Sequence, residues 1–156
     1  MEEKTRKILS KLEAQCARRE YCRSDIMAKA QKLTQGDAEA CAEVVESLVS
    51  QGYVDDLRYA CAFAREKASL TGWGPVKIRL ALSAKKIDGS VIGAALEEID
   101  TDKASDKLEK LMAAKWKSLG ADPQARLKLL KFALSRGYEY DAVRKAADKI
   151  CSNYED

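Results

Sequence analysis

The chain has 156 residues, with 28 Lys and Arg against 25 Asp and Glu, five Cys, no histidine, 46% hydrophobic residues and a formal charge of only +3. The missing imidazole removes Ser-His-Asp and Cys-His nucleophile relays, the ordinary neutral-pH general base and every His metal ligand. Residues 1–11 are charged rather than apolar and no apolar run approaches the roughly 20 residues of a membrane helix, so a cytoplasmic protein without signal peptide or membrane contact is expected.

Helical periodicity dominates and strand-like alternation is nearly absent, which predicts an all-α fold. A first helix is read over Glu2 to Glu20. Ser24 is placed to cap a helix over Asp25 to Leu33, with a bend at Thr34 to Asp37. Val44, Val45, Leu48 and Val49 form an apolar stripe, and Gly52 sits where that helix needs a left-handed C-terminal residue. Asp55 then caps a helix running to Ser69, with Asp56 in its first turn and Ala60, Ala64 and Ala68 as a small packing face. The Asp55-Asp56 pair between Tyr53 and Tyr59 could also be read as an acid-base or Mg²⁺ site, but capping explains it more simply.

Gly72-Trp73-Gly74-Pro75 resembles a phosphate loop only superficially. It lacks the Gly-Lys-Ser ending, and Pro75 offers no N–H, so a linker anchored by Trp73 is expected. Pro75 and Pro123 follow Gly74 and Asp122 and are each assigned to a first helical position. Each opens a helix with a basic end, followed by the bend Lys85-Lys86-Ile87-Asp88 in one case and Arg136-Gly137-Tyr138-Glu139 in the other. Val91, Ile92, Ala95, Leu96 and Ile99 make a second stripe. A helix over Asp102 to Ser118 carries a seam of Ala104, Leu108, Leu111, Met112 and Lys115, and Val143, Ala146, Ala147 and Ile150 make a third stripe.

Similar stripes at intervals of about fifty residues point to three copies of a three-helix unit, stacked as an elongated, curved rod. The expected divisions are 1–56, 57–118 and 119–156. The five cysteines include no Cys-x-x-Cys pair, so free thiols are expected, with Cys41 and Cys61 as buried hydrophobes, and neither metal nor cofactor is implied. Charge is blocked along the chain: residues 65–90 hold six cations against two acids, 91–102 hold four acids and no cation, and 103–149 hold twelve cations against six acids. Such blocks fit a basic band along one side, or an ordinary solvated surface.

Arg18-Arg19-Glu20-Tyr21-Cys22-Arg23-Ser24-Asp25 is the densest cluster. Its arginines could bind phosphate or a partner's carboxylates, or be held in surface pairs of Arg19 with Glu20 and Arg23 with Asp25. The helix–bend–helix units could also mimic a DNA-reading helix-turn-helix, for which the small net charge is weak support.

Several stretches together resemble the RecX family of bacterial recombinase regulators: Arg18-Arg19-Glu20-Tyr21 through Arg23-Ser24-Asp25 to Ala30, Leu48 to Ala60 with Gln51-Gly52-Tyr53-Val54-Asp55-Asp56, Gly72 to Arg79 with Leu82 and Ile87, and Phe132 to Tyr138. Two positions depart from the pattern, Cys22 in place of Ser and Lys85-Lys86-Ile87 in place of a Lys-Gly-Ile turn. The resemblance implies a non-enzymatic protein of tandem three-helix repeats that lies in the groove of the RecA filament on single-stranded DNA. It further implies restraint of ATP hydrolysis, strand exchange and stimulated repressor self-cleavage, and hence of DNA repair and the SOS response. Weak single- or double-stranded DNA binding is implied as well, with no catalytic residues. The partner-facing residues are chosen by clustering as Arg18, Arg19, Arg23, Lys77, Arg79, Lys85, Lys86, Arg126, Lys128 and Arg136, on a monomer. The alternative is a general nucleic-acid-binding helical protein with no RecA-specific role.

Overall fold

A computed structural model describes residues 1–155, with side chains to residue 152. The described residues form nine α-helices and no strand: α1 (Glu3–Arg18), α2 (Arg23–Leu33), α3 (Ala38–Ser50), α4 (Asp56–Glu66), α5 (Pro75–Ala84), α6 (Gly89–Glu97), α7 (Thr101–Leu119), α8 (Ala125–Ser135) and α9 (Tyr140–Glu155). A five-residue π-helical turn, Lys67–Thr71, follows α4. The chain is therefore an all-α helical protein, as its periodicity predicts.

The chain divides into two compact units, one of residues 1–61 with 82–93 and one of residues 62–81 with 94–156. In the first, Leu12 of α1, Ile26 and Ala30 of α2, and Cys41, Val44, Val45 and Leu48 of α3 close a core with Val54. In the second, Leu108 and Met112 of α7, Leu129 and Ala133 of α8, and Val143, Ala146, Ala147 and Ile150 of α9 pack with Tyr138. Each large side chain in these cores contributes about 1.5–3 kcal/mol by leaving water. Val49 is the exception in its stripe and stays exposed.

Several helix ends are set by the predicted residues. Gly52 is left-handed at φ 80°, and Asp55 accepts from the Arg58 amide at 3.0 Å. Asp37, at the end of the predicted bend, caps α3 by accepting from the Ala40 amide at 3.2 Å.

Other ends differ from expectation. Ser24 does not cap α2, which starts at Arg23; its hydroxyl donates instead to the Lys85 carbonyl at 2.6 Å. The cap comes from another helix, because Asp56 accepts from the Arg23 amide at 2.7 Å. Pro123 lies in a turn ahead of α8, which opens at Ala125, since Asp122 closes that turn by accepting from the Gln124 amide at 2.8 Å. The helix expected to run to Ser69 widens after Glu66 into the π turn. Gly72, left-handed at φ 74°, ends that turn, and the Trp73 amide reaches back to the Lys67 carbonyl at 2.8 Å.

A register repeats along the chain. Buried Ile26 and Ala30 recur as Ile78 and Leu82, and Ile78, Leu82 and Ile87 recur as Leu129, Ala133 and Tyr138, all with little or no exposure. The bends after these helices hold a left-handed residue each time, at Gln35 and Gly36, at Lys86 (φ 60°) and at Gly137 (φ 91°).

Candidate interaction surface

The start of α2 is fixed against the Lys85–Ile87 bend within the first unit. Besides the Ser24 bond, Lys85 Nζ donates to Asp25 Oδ1 at 2.8 Å. Burial raises the Asp25 pKa, but hydrogen bonds from Lys85 and Cys22 and the Lys85 charge outweigh it and hold the carboxyl below its ordinary value. The Asp25 hydrogen bond in turn raises the Lys85 pKa. Cys22 is fully buried, with its Sγ 3.3 Å from Ser24 Oγ, and burial pushes its thiol up. A neutral thiol is a poor nucleophile. The Cys22 thiol is thus a buried hydrogen-bonding group beside Ser24 and Asp25 rather than a nucleophile.

The arginine cluster is arranged differently from the pairs considered in the sequence. Glu20 Oε1 is taken by Arg58 Nε at 2.8 Å and Asp25 by Lys85, so neither Arg19 nor Arg23 uses those acids. Arg19 lies over the Tyr21 ring, 4.8 Å from its centre, and Lys29 approaches the same ring at 5.0 Å. Arg18 is exposed at the end of α1. Arg23 and Lys86 line one shallow cleft of about 360 Å³ with Ser24, Met27, Gln31 and Asp56.

The equivalent joint in the second unit is made by backbone. The Gly74 amide donates to the Arg136 carbonyl at 2.8 Å and the Val76 amide to the Gly137 carbonyl at 2.9 Å. Only glycine allows this approach: a Cβ on Gly74 would collide with the Gly137 carbonyl, and one on Gly137 would collide with Lys77 Cβ. Tyr138 Oη, buried, donates to the Gly72 carbonyl at 3.0 Å. Trp73 is the packing anchor expected, edge-to-face with Phe63 at 6.2 Å.

Cations collect on these rings. Lys77 Nζ lies 4.5 Å from the Trp73 ring centre and Lys67 Nζ 4.9 Å from it. Arg136 and Lys115 approach Phe132 at 5.3 and 5.5 Å. The crossing sets Lys77 against Gly137, next to Arg136 in the chain, while the two cationic groups lie on different rings. Arg79 is exposed on α5, while Arg126 and Lys128 are occupied by Asp148 and Asp122 at 2.6 and 2.5 Å. Lys115, read from the sequence as a seam residue, meets Phe132 across two helices, whereas Lys67 reaches rings close to it in the chain, Phe63 and Trp73.

Among the described residues no group of three or more acidic, Cys or His side chains could hold a metal ion, and no helix is long and apolar enough to cross a membrane. The geometry offers cationic and aromatic surface.

The family model described as RecX, second three-helix domain, matches residues 55–96. The regulatory protein RecX of Chromohalobacter salexigens is 35% identical over 131 residues, covering 83% of this chain and 84% of that protein. This chain belongs to the RecX family. The regulatory protein RecX of Oceanobacillus iheyensis is 34% identical over 109 residues, 69% of this chain but 40% of its own length. The crystal structure of RecX from Lactobacillus salivarius superposes with a TM-score of 0.81 at 20% identity, covering 95% of this chain and 97% of that one; at that identity the likeness is one of fold. In this RecX-family chain Lys86, in the bend after α5, is left-handed at φ 60°.

Proposed function

We propose that this chain binds the RecA filament on single-stranded DNA and inhibits its ATPase, strand-exchange and co-protease activities, restraining DNA repair and the SOS response. The observation that carries this reading is the 35% identity to a regulatory protein RecX across most of both chains. It acts by occupancy rather than catalysis, as a cytoplasmic monomer, through three tandem units at 1–56, 57–118 and 119–156. The recurring joint of helix start against bend, Ser24 on Lys85 and Gly74 on Arg136, supports that division. Weak contacts repeated along a filament multiply in effect when they engage together.

Of the partner-facing residues, Arg18, Arg19, Arg23, Lys77, Arg79, Lys86 and Arg136 retain cationic groups outside acidic pairs, whereas Lys85, Arg126 and Lys128 first have to leave theirs. The test is the DNA-dependent ATPase of the cognate RecA with this protein added. Inhibition is expected at one molecule per few RecA subunits, and undiminished ATPase at that ratio removes the proposal.

A second reading, nucleic-acid binding without a RecA-specific role, is favoured by the cations stacked on Trp73 and Phe132, since such planes also receive bases. It predicts tight DNA binding in the absence of RecA that falls steeply with salt.

A further inference from the structure

The outward faces of α5 and α8 carry a pattern that neither core packing nor phosphate binding uses. On α5, Val76 and Leu80 are 37% and 67% exposed; on α8, Leu127 and Leu134 are 47% and 40% exposed. Spacings of four and seven residues place each pair on one helical face. Arg79 lies beside the first pair and Lys131 between the second, both exposed. In the repeat register set by Ile78 and Leu129, Val76 corresponds to Leu127, Leu80 to Lys131 and Ser83 to Leu134, so the two faces share one apolar position and each adds a leucine of its own.

Along the sequence the segments that carry these leucines hold cations only, three of which pair with acids from elsewhere in the chain: Lys85 with Asp25, Arg126 with Asp148 and Lys128 with Asp122. Residues 75–87 contain Lys77, Arg79, Lys85 and Lys86 and no acid; residues 123–138 contain Arg126, Lys128, Lys131 and Arg136 and no acid. Leucine gains by leaving water against an apolar recess, and gains almost nothing against a phosphate chain, which is read by cations, amides and aromatic planes. Cations interleaved with leucines therefore select a protein surface that is acidic and apolar in alternation.

We infer that the outward faces of α5 and α8 are the docking surface for such an acidic, apolar-pocketed protein face, which, resting on the proposed RecA inhibition, is the recombinase protein and not its DNA. The leucines supply the buried contact and Arg79 and Lys131 its charged rim.

The test compares the full chain with a Leu80→Gln, Leu127→Gln, Leu134→Gln variant and with an Arg79→Glu, Lys131→Glu variant. Glutamine keeps the helix propensity of leucine nearly unchanged, and all five positions are exposed. Three readouts are taken on each protein: half-inhibitory concentration against RecA ATPase, affinity for a single-stranded oligonucleotide without RecA, and urea midpoint. The leucine variant is expected to lose at least tenfold in inhibition while its oligonucleotide affinity stays within twofold; the charge variant is expected to lose inhibition as well. Inhibition retained by both variants overturns the docking surface while leaving RecA inhibition standing. Parallel loss of inhibition and oligonucleotide affinity in the leucine variant also overturns it, assigning the face to DNA. A wild-type chain that does not inhibit RecA at all overturns both the proposed function and this surface.

Discussion

Lys86 and Gly137 occupy the same place in two bends, and both are left-handed, at φ 60° and 91°. A side chain in that conformation costs roughly 1–2 kcal/mol. Lys86 bears this cost in the exposed bend, so Lys86→Gly is expected to raise stability by about 0.5–1 kcal/mol, the relief of strain exceeding the extra unfolded-state entropy of glycine. Gly137→Ala meets the strain together with a clash, because the new Cβ would lie 2.6 Å from the Lys77 amide nitrogen. Gly36, at φ 84°, has open space where a Cβ would stand, with nothing within 4 Å. Gly36→Ala should therefore cost about 1 kcal/mol and Gly137→Ala more than about 2 kcal/mol. Urea midpoints of the three variants check this ordering, and equal losses at Gly36 and Gly137 would mean that the crossing with Lys77 yields to accommodate a methyl group.

At the scale of helices and bends, the joint in the second unit closes on one buried hydroxyl. Removing it in Tyr138→Phe leaves the Gly72 carbonyl without that donor and is expected to cost about 1–2 kcal/mol, seen as a lowered urea midpoint with an unchanged slope. Tyr140→Phe at the start of α9 serves as the matched control and should change nothing measurable, since Tyr140 is exposed. These joints also mark where sequence reading stops. Local grammar locates Gly52, Asp55 and the anchor Trp73, because turn, cap and aromatic plug each act within a few residues. Ser24 reads as a cap by the same grammar, yet its partner is the Lys85 carbonyl, 61 residues on. Glu20 has Arg19 beside it in the sequence but pairs with Arg58, 38 residues away. Pro123 fits a first helical position by its neighbours, but the Asp122 carboxylate closes a turn before the helix begins. Of the candidate surface, the cationic residues are legible as clusters, whereas the leucine faces of α5 and α8 become visible only when burial separates exposed apolar residues from core ones.

For the whole molecule, the absence of histidine fixes the shape of its pH dependence. Histidine is the side chain whose ordinary charge change falls between pH 5 and 8, and the shifted groups here lie outside that window. Asp25 is held below its ordinary value, hydrogen bonds from Lys85 and Cys22 and the Lys85 charge overcoming burial; Asp122 is lowered by its Lys128 hydrogen bond and the Gln124 amide. A depressed carboxylate contributes stability above its unfolded pKa of about 3.9, and that contribution is lost as pH falls through the lower folded value. Burial raises the thiols of Cys16, Cys22 and Cys41, so their contribution is complete below about pH 8.5 and is lost as pH climbs through the folded values. Lys85, raised by its Asp25 hydrogen bond, loses its share only above about pH 10.4. Urea midpoints should thus be level from about pH 5 to 8, decline below about pH 4 and decline again above about pH 9. Asp25→Asn should flatten part of the acid limb, because it removes one of the two depressed carboxylates among the described residues. If the proposed RecA inhibition changes between about pH 6 and 8 while the midpoint of this chain stays level, the titrating group belongs to the proposed partner. A step in the midpoint itself within that window would contradict a chain whose shifted groups, among the described residues, are carboxylates, thiols, tyrosines, a lysine and an arginine.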